Sequence, residues 1–121
     1  MTSALRKNFD EPDEARTPPK AHVAIVDLNG NKVARLTLEP GWRWSESIKP
    51  IAGGDRCQVH HLGVLVSGTM HVLGADGMEI EIGPGAAYEI APGHDAWVVG
   101  DSPLVAYEFD SSAAATFAAT Q

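Results

Sequence analysis

The chain has 121 residues, of which 44% are hydrophobic, and this suits one domain with a modest core. Sixteen acidic residues against nine basic ones give a net charge of −7, which argues against a nucleic-acid partner because phosphate binding depends on Lys and Arg. No apolar run has the length of a membrane span, and residues 1–20 do not resemble a signal peptide, so we expect a cytoplasmic protein without a membrane partner.

The two ends of the chain show no strand or helix period. Residues 1–20 carry three prolines among charged side chains, which is typical of a flexible or partner-bound arm. The last eleven residues, 111–121, are rich in alanine but have no apolar stripe, which predicts a fraying tail. The folded domain is therefore predicted to occupy residues 21–110.

The first half of this domain has the two-residue period of β-strands. Residues 22–28 and 32–39 flank an Asn-Gly turn and predict a half-buried hairpin. A Pro-Gly turn then leads into WRWSESIKP, where Trp42 and Trp44 are predicted to share one face of a strand.

The second half of the domain repeats the pattern. Met78, Ile80 and Ile82 alternate with two glutamates, which predicts one inward face and one solvent face. In residues 104–110, Val105, Tyr107 and Phe109 alternate with Ala106 and Glu108 in a similar way. Short strands separated by Gly and Pro turns, without a convincing amphipathic helix, predict an all-β sandwich or barrel.

The stretch RCQVHHLGVLVSG, residues 56–68, places the only cysteine four residues before a histidine. Alternate side chains of a strand share a face, so Cys57, Val59 and His61 are predicted to point one way while His60 points the other. A lone cysteine cannot form an internal disulfide, which fits a reducing compartment. Cys57 is then a buried hydrophobe, a reactive thiol or a ligand. With His61 on the same face, Cys57 is a candidate ligand for Zn²⁺ or a similar ion.

The order of turns and strands from residue 22 to residue 110 resembles that of the small single-domain cupins. The shared features are a Pro-Gly turn, a His-bearing strand that ends at a glycine, an Asp-Gly hairpin, a Gly-Pro-Gly corner and a Pro-Gly loop. The resemblance implies a double-stranded β-helix, the jelly-roll barrel of the cupins. It also implies a homodimer whose barrel mouth holds a divalent metal ion.

The first cupin motif has the form G-x5-H-x-H-x3,4-E-x6-G, and its histidines and glutamate are metal ligands in that family. When its final glycine is set on Gly68, His61 takes the glutamate position and Cys57 takes the position of the second histidine. A second alignment counts from the Pro-Gly turn and brings Glu46 or Ser47 towards the site instead. Both alignments stay open at the level of sequence.

The second cupin motif, G-x5-P-x-G-x2-H-x3-N, fits the glycines of residues 85–93 but places Ala96 at the histidine ligand position. His94 lies two residues earlier, in a Pro-Gly-His-Asp loop. If this loop turns inward, His94 is the third candidate metal ligand, with Asp95 as the acceptor that orients it. A solvated loop histidine is the alternative.

A Cys/His set departs from the three-histidine, one-glutamate site of the cupin dioxygenases and favours Zn²⁺, with Fe, Ni or Mn as alternatives. The sequence therefore predicts a metal-binding cupin domain and leaves open whether it is an enzyme. If it is one, the metal acts on a small polar molecule as a Lewis acid or by activating water. A metal-free binding or sensor module with the same barrel pocket is the alternative, and a purely structural or dimerising domain is the third hypothesis.

A pocket for a small-molecule ligand is predicted at the barrel mouth. Aromatic side chains supply apolar walls there, and polar groups fix the orientation of a ligand. The candidate lining residues are Trp44, Glu46, Ser47, Tyr88 and Trp97.

Overall fold

A computed structural model describes residues 3–49 and 54–109, apart from the side chain of Ser47. Over these residues the chain forms strands β1 (Glu14–Arg16), β2 (Ala21–Leu28), β3 (Asn31–Leu38), β4 (His61–Ser67), β5 (Met70–Leu73), β6 (Glu79–Ile82), β7 (Ala87–Ile90), β8 (Asp95–Val98) and β9 (Leu104–Phe109), and helix α1 (Trp44–Ser47). The predicted all-β class is confirmed. No helix in these residues is long and apolar enough to cross a bilayer.

The strands form two antiparallel sheets. The large sheet has the order β1-β2-β3-β9-β4-β7, and the small sheet has the order β6-β5-β8. Leu36 and Leu65 of the large sheet share one hydrophobic core with Val72 and Val98 of the small sheet. The chain thus folds as two sheets around a common interior, and β7 and β6 each lie at one edge of their sheet.

Two predicted strand faces have different outcomes. In β3 the alternating residues Ala34, Leu36 and Leu38 are buried, as predicted. In β6 only Ile82 is buried, whereas Ile80 is 42% exposed and Met78, the residue just before β6, is 65% exposed. The predicted inward face is wrong for these two residues, because β6 lies at the edge of its sheet and the described chain leaves its first half uncovered.

The N-terminal arm is partly ordered by contacts with the barrel. Strand β1 pairs with β2, an arrangement that the sequence did not predict. The ring of Phe9 packs against Tyr107 at 5.3 Å, and the guanidinium of Arg35 lies 5.6 Å from the Phe9 ring centroid. The predicted tail, residues 111–121, lies outside the described residues.

The segment predicted as a strand around Trp44 is a short helix instead. Arg43 is extended and bridges Trp97 of β8, and α1 begins at the next residue. The carboxylate of Asp95 accepts hydrogen bonds from the Ser45 backbone N–H at 3.2 Å and from Arg43 Nε at 3.1 Å. Asp95 therefore supplies the acceptor that the first turn lacks locally, and the strand prediction is wrong here.

Candidate metal centre

A backbone bridge joins the segment before β4 to the loop before β8. The Cys57 N–H donates to the His94 carbonyl oxygen at 2.8 Å, and the Cys57 carbonyl oxygen accepts from Gly93 at 2.7 Å and from His94 at 3.2 Å. These hydrogen bonds hold Cys57 beside the loop although 36 residues separate it from Gly93. The position of the loop is thus fixed before any ligand is considered.

Gly93 allows this loop to turn inward. Its φ is +95°, which side chains disfavour, and an added Cβ would lie 2.8 Å from the Cβ of Ala75. His94, the next residue, is only 2% exposed. The inward turn on which the predicted role of His94 depended is therefore present.

Three buried side chains meet at this place: Cys57, His61 and His94. One donor atom from each lies within 4.8 Å of the others, and Cys57 Sγ is 3.7 Å from His61 Nε2. Ligands of a tetrahedral Zn²⁺ lie about 3.4–3.6 Å apart when Zn–S is about 2.3 Å and Zn–N is about 2.0–2.1 Å. Small side-chain movements would therefore bring this set to zinc geometry.

The ring of His94 is oriented by a backbone carbonyl. His94 Nδ1 donates to the Ala91 oxygen at 2.8 Å, and because a carbonyl only accepts, the proton lies on Nδ1. The Nε2 lone pair is then available to a metal ion. Asp95 was predicted to orient His94, but it binds Arg43 and Ser45 instead, so this prediction is wrong.

The ring of His61 is oriented by a carboxylate that the sequence analysis did not select. His61 Nδ1 donates to Glu108 Oε1 at 2.9 Å and to Oε2 at 3.1 Å, and the Tyr88 hydroxyl donates to Oε2 at 2.8 Å. Glu108 is 2% exposed. The carboxylate fixes the proton on Nδ1 and directs Nε2 of His61 towards Cys57.

A glycine in β4 leaves room for this carboxylate. Gly63 pairs with Tyr88 on one side and with Glu108 on the other. An added Cβ would lie 2.9 Å from the Tyr88 hydroxyl and 3.0 Å from Glu108 Cγ, and it would overlap the Tyr107 carbonyl oxygen. A side chain at position 63 would therefore displace the groups that orient His61.

The cluster shifts the pKa values of its own members. Burial alone would raise the pKa of the Cys57 thiol, but hydrogen bonds with His61 and His94 and the charge of His61 lower this pKa to about 6. Burial would lower the pKa of His61, but the Glu108 charge and hydrogen bonds to Cys57 and Glu108 raise it to about 9. The pKa of Tyr88 is raised by burial and then by the Glu108 charge. These opposite shifts favour a thiolate–imidazolium pair over a neutral thiol and imidazole when no metal ion is bound.

A small cavity adjoins the cluster. Its volume is about 30 Å³, which is enough for an ordered water molecule. Its walls are Leu36, Leu38, Trp42, Trp44, His61, Met70, Ile90, His94, Ala96 and Glu108. The indole N–H of Trp42, one of these wall residues, is buried and has no hydrogen-bond partner among the described residues.

The residues predicted to line one pocket do not lie together in the structure. Trp44 lines the cavity, and Tyr88 binds Glu108 beside it. Glu46 is exposed on α1, and the Ser47 side chain lies outside the described part of the chain. Trp97 does not line this cavity: its ring stacks on His71 at 4.6 Å, with the Arg43 guanidinium 4.2 Å from its centroid.

Comparison of the sequence with models of known families and with curated proteins finds no match. Solved structures do match the fold. A cupin-superfamily sugar phosphate isomerase from Silicibacter pomeroyi DSS-3 is 15% identical over 87% of this chain and 74% of its own, with a TM-score of 0.61. A conserved protein with a double-stranded β-helix domain from Klebsiella pneumoniae is 17% identical over 88% and 84%, with a TM-score of 0.58.

Oxalate decarboxylase from Bacillus subtilis is also similar. It is 25% identical over 80% of this chain but only 27% of its own length, with a TM-score of 0.53. Together these likenesses establish the fold: the chain has the double-stranded β-helix fold of the small cupin domains. The fold that the sequence predicted is confirmed.

Proposed function

We propose that this cupin domain binds one divalent metal ion through Cys57, His61 and His94, with Zn²⁺ as the favoured ion. The observation that carries the proposal is the convergence of three buried donor atoms within 4.8 Å from the segment before β4, from β4 itself and from the loop before β8. One thiolate and two imidazoles are ligands that suit Zn²⁺ better than oxygen-preferring ions such as Mg²⁺.

The charges near the cluster support a dication. The Cys57 thiolate and the buried Glu108 carboxylate carry two negative charges, which balance the two positive charges of the ion once His61 is neutral. Both histidines have their second nitrogen occupied by an acceptor, Glu108 or the Ala91 oxygen. Such partners are typical of metal-binding histidines.

Three protein ligands leave a fourth position for water or a small ligand. The cavity beside His61 and His94 provides room for it. An ion bound here would polarise a carbonyl oxygen or make bound water more acidic. In the protein itself, Glu108 would hold the His61 proton at Nδ1, and the apolar walls would limit access of bulk water.

Metal analysis of the protein purified without a histidine tag tests the proposal. We expect about one zinc ion per chain in the unaltered protein and a strong loss in Cys57→Ala, His61→Ala and His94→Ala. His60→Ala is the matched control, because His60 is next to His61 but its Nε2 contacts Glu89 at 3.0 Å, outside the cluster. Metal content near zero in the unaltered protein would refute the proposal.

A metal-free binding module is the second candidate function. The presence of Ala96 at the usual position of a ligand histidine favours it. A thermal-shift screen with and without chelator separates the two functions, since ligands that stabilise the chelated protein support the second one.

A further inference from the structure

A second, larger pocket lies at the open edge of the barrel. Its volume is about 320 Å³, within the range of small-molecule sites. Strand β6, the β5–β6 turn and the end of β7 form its walls, which are Val72, Gly74, Ala75, Asp76, Met78, Ile80, Glu89, Ile90 and Ala91. Of the residues predicted to line a pocket, none contributes to these walls.

The apolar walls of this pocket are unusually open to solvent. Met78 is 65% exposed and Ile80 is 42% exposed, although both belong to the apolar alternation of β6. Ile82, the next residue in that alternation, is buried. Covering Met78 and Ile80 with an apolar ligand would therefore remove hydrophobic surface from water without any change of the fold.

The charge at the rim has one sign. Asp76 and Glu89 are the two charged residues in the walls, and among the described residues no Lys or Arg lines them. One oxygen of Asp76 accepts from the Met78 N–H and one oxygen of Glu89 binds His60. Within residues 3–49 and 54–109, the other oxygen of each carboxylate is left for a ligand. The chain as a whole carries −7, which adds to the attraction of a cation and the rejection of an anion.

From these features we propose that this pocket binds a small, mainly apolar molecule that carries an ammonium group. The apolar part covers Met78 and Ile80, and the ammonium lies at the rim between the carboxylates of Asp76 and Glu89. Ile90 forms part of this pocket and of the inner cavity, so the ligand lies one side chain away from His61 and His94. The pocket itself contains none of the three candidate metal ligands, and binding does not depend on a metal ion.

Three probes of nearly equal size test the proposal: 2-phenylethylamine, 2-phenylethanol and phenylacetate. Binding is measured by ligand-observed NMR and calorimetry at pH 7, at low salt and with excess chelator. We expect the amine to bind several-fold more tightly than the alcohol, and the carboxylate to show no binding. Because chelator is present, success or failure here is separate from the result of the metal analysis.

Two pairs of variants locate the probe. Glu89→Gln should weaken binding of the amine about three- to tenfold and leave binding of the alcohol unchanged. The control Glu81→Gln should change neither affinity, since Glu81 contacts His71 and does not line the pocket. Met78→Ser should weaken binding of both the amine and the alcohol. The control Leu5→Ser should not, since Leu5 is exposed on the N-terminal arm and does not line the pocket.

Equal binding of all three probes, or amine binding that Met78→Ser and Glu89→Gln leave unchanged, would overturn the proposal. Failure of all three probes to bind would overturn it as well.

Discussion

Glu108 is the single residue on which the geometry of the cluster depends most. It is buried, it accepts hydrogen bonds from His61 and Tyr88, and its charge is the main reason that the pKa of His61 is raised. A buried carboxylate without such partners would be strongly destabilising, so the cost of burying Glu108 is offset by these two donors. We infer that Glu108 is a positioning residue for the proposed metal centre and not a ligand.

Glu108→Gln tests this role, because glutamine keeps the shape and one acceptor but removes the charge. At pH 9, where protons compete weakly for His61, we expect zinc affinity to fall by between about tenfold and a hundredfold. The pKa of His61 should also fall from about 9, because its attraction to a negative charge is lost. Competition with a chromophoric chelator and NMR titration of the imidazole are the measurements.

Tyr88→Phe is the control for this change, because it removes a hydrogen bond to Glu108 and leaves the contact with His61 intact. It should lower zinc affinity less than Glu108→Gln does. If the two variants lose affinity equally, or if the pKa of His61 is unchanged in Glu108→Gln, the positioning role is refuted.

Zinc binding should depend on pH in two steps. Above pH 9 Cys57 and His61 are both deprotonated before the ion binds. Between pH 6 and 9 His61 must lose one proton when the ion binds, and below pH 6 Cys57 must lose a proton as well. Affinity should therefore rise about tenfold per pH unit from pH 6 to 9 and more steeply below pH 6. Calorimetry in buffers of different ionisation enthalpy counts the released protons.

Glu108→Gln gives the matched comparison for this slope. Because the pKa of His61 is lower in this variant, its zinc affinity should increase less steeply between pH 7 and 9. A wild-type affinity that is constant between pH 6 and 9 would contradict the protonated His61 in the metal-free protein.

The side chain of Asp95 links two elements of the fold, α1 and β8. It is 5% exposed, and it accepts hydrogen bonds from Arg43, from the Ser45 N–H and from its own neighbour Ala96 at 2.9 Å. Helix α1 has only four residues, so it depends on this tertiary contact more than on helix propensity. Trp42 and Trp44, which line the inner cavity, flank the Arg43 bridge and are held by the same contact.

Asp95→Ala should therefore lower the free energy of unfolding by about 2 kcal/mol, because it leaves the Ser45 N–H and the Arg43 guanidinium without their acceptor. Denaturant unfolding followed by tryptophan fluorescence measures the change. The control is Asp101→Ala in an exposed loop, with an expected change within about 0.5 kcal/mol. Equal effects of the two variants would show that Asp95 is not a structural link.

The strands could be predicted from the sequence better than the segments between them. Alternation of apolar residues located β3 and β9, because a strand with one face on the core repeats every two residues, whereas β2 has four consecutive buried residues, 23–26. Alternation does not tell which face is covered. Glu108 shares the inner face of β9 with the buried Leu104 and Ala106, whereas the aromatic Tyr107 lies on the other face. Only the contacts with His61 and Tyr88 explain a carboxylate inside, and they come from strands distant in sequence.

At the scale of the molecule, the cluster of Cys57, His61 and His94 was selected from spacing and from the cupin resemblance, and the fold brings the three side chains together. Their role as metal ligands stays a prediction. The helix at Trp44 and the open edge at β6 were not predicted, because each depends on tertiary contacts: the acceptor supplied by Asp95, and the end of a sheet.

The homodimer that the cupin resemblance implies is also still a prediction, and the outer face of β4 offers a surface for it. Leu62 and Val66 are 48% and 46% exposed there, on the side opposite the buried Leu65. Exposed apolar strand faces of this kind are typical of association surfaces. A dimer that uses this face should be disrupted by Leu62→Glu, since an unpaired carboxylate would be buried between the copies.

Sedimentation velocity over a range of concentrations measures the effect. We expect a dimer for the unaltered protein and a monomer for Leu62→Glu, while Leu5→Glu, which places the same charge at a residue 43% exposed on the N-terminal arm, should remain dimeric. Because Leu62 points away from the cluster, zinc content should be the same in all three proteins. A monomer at every concentration would exclude the homodimer, and a dimer that survives Leu62→Glu would place its interface on another face.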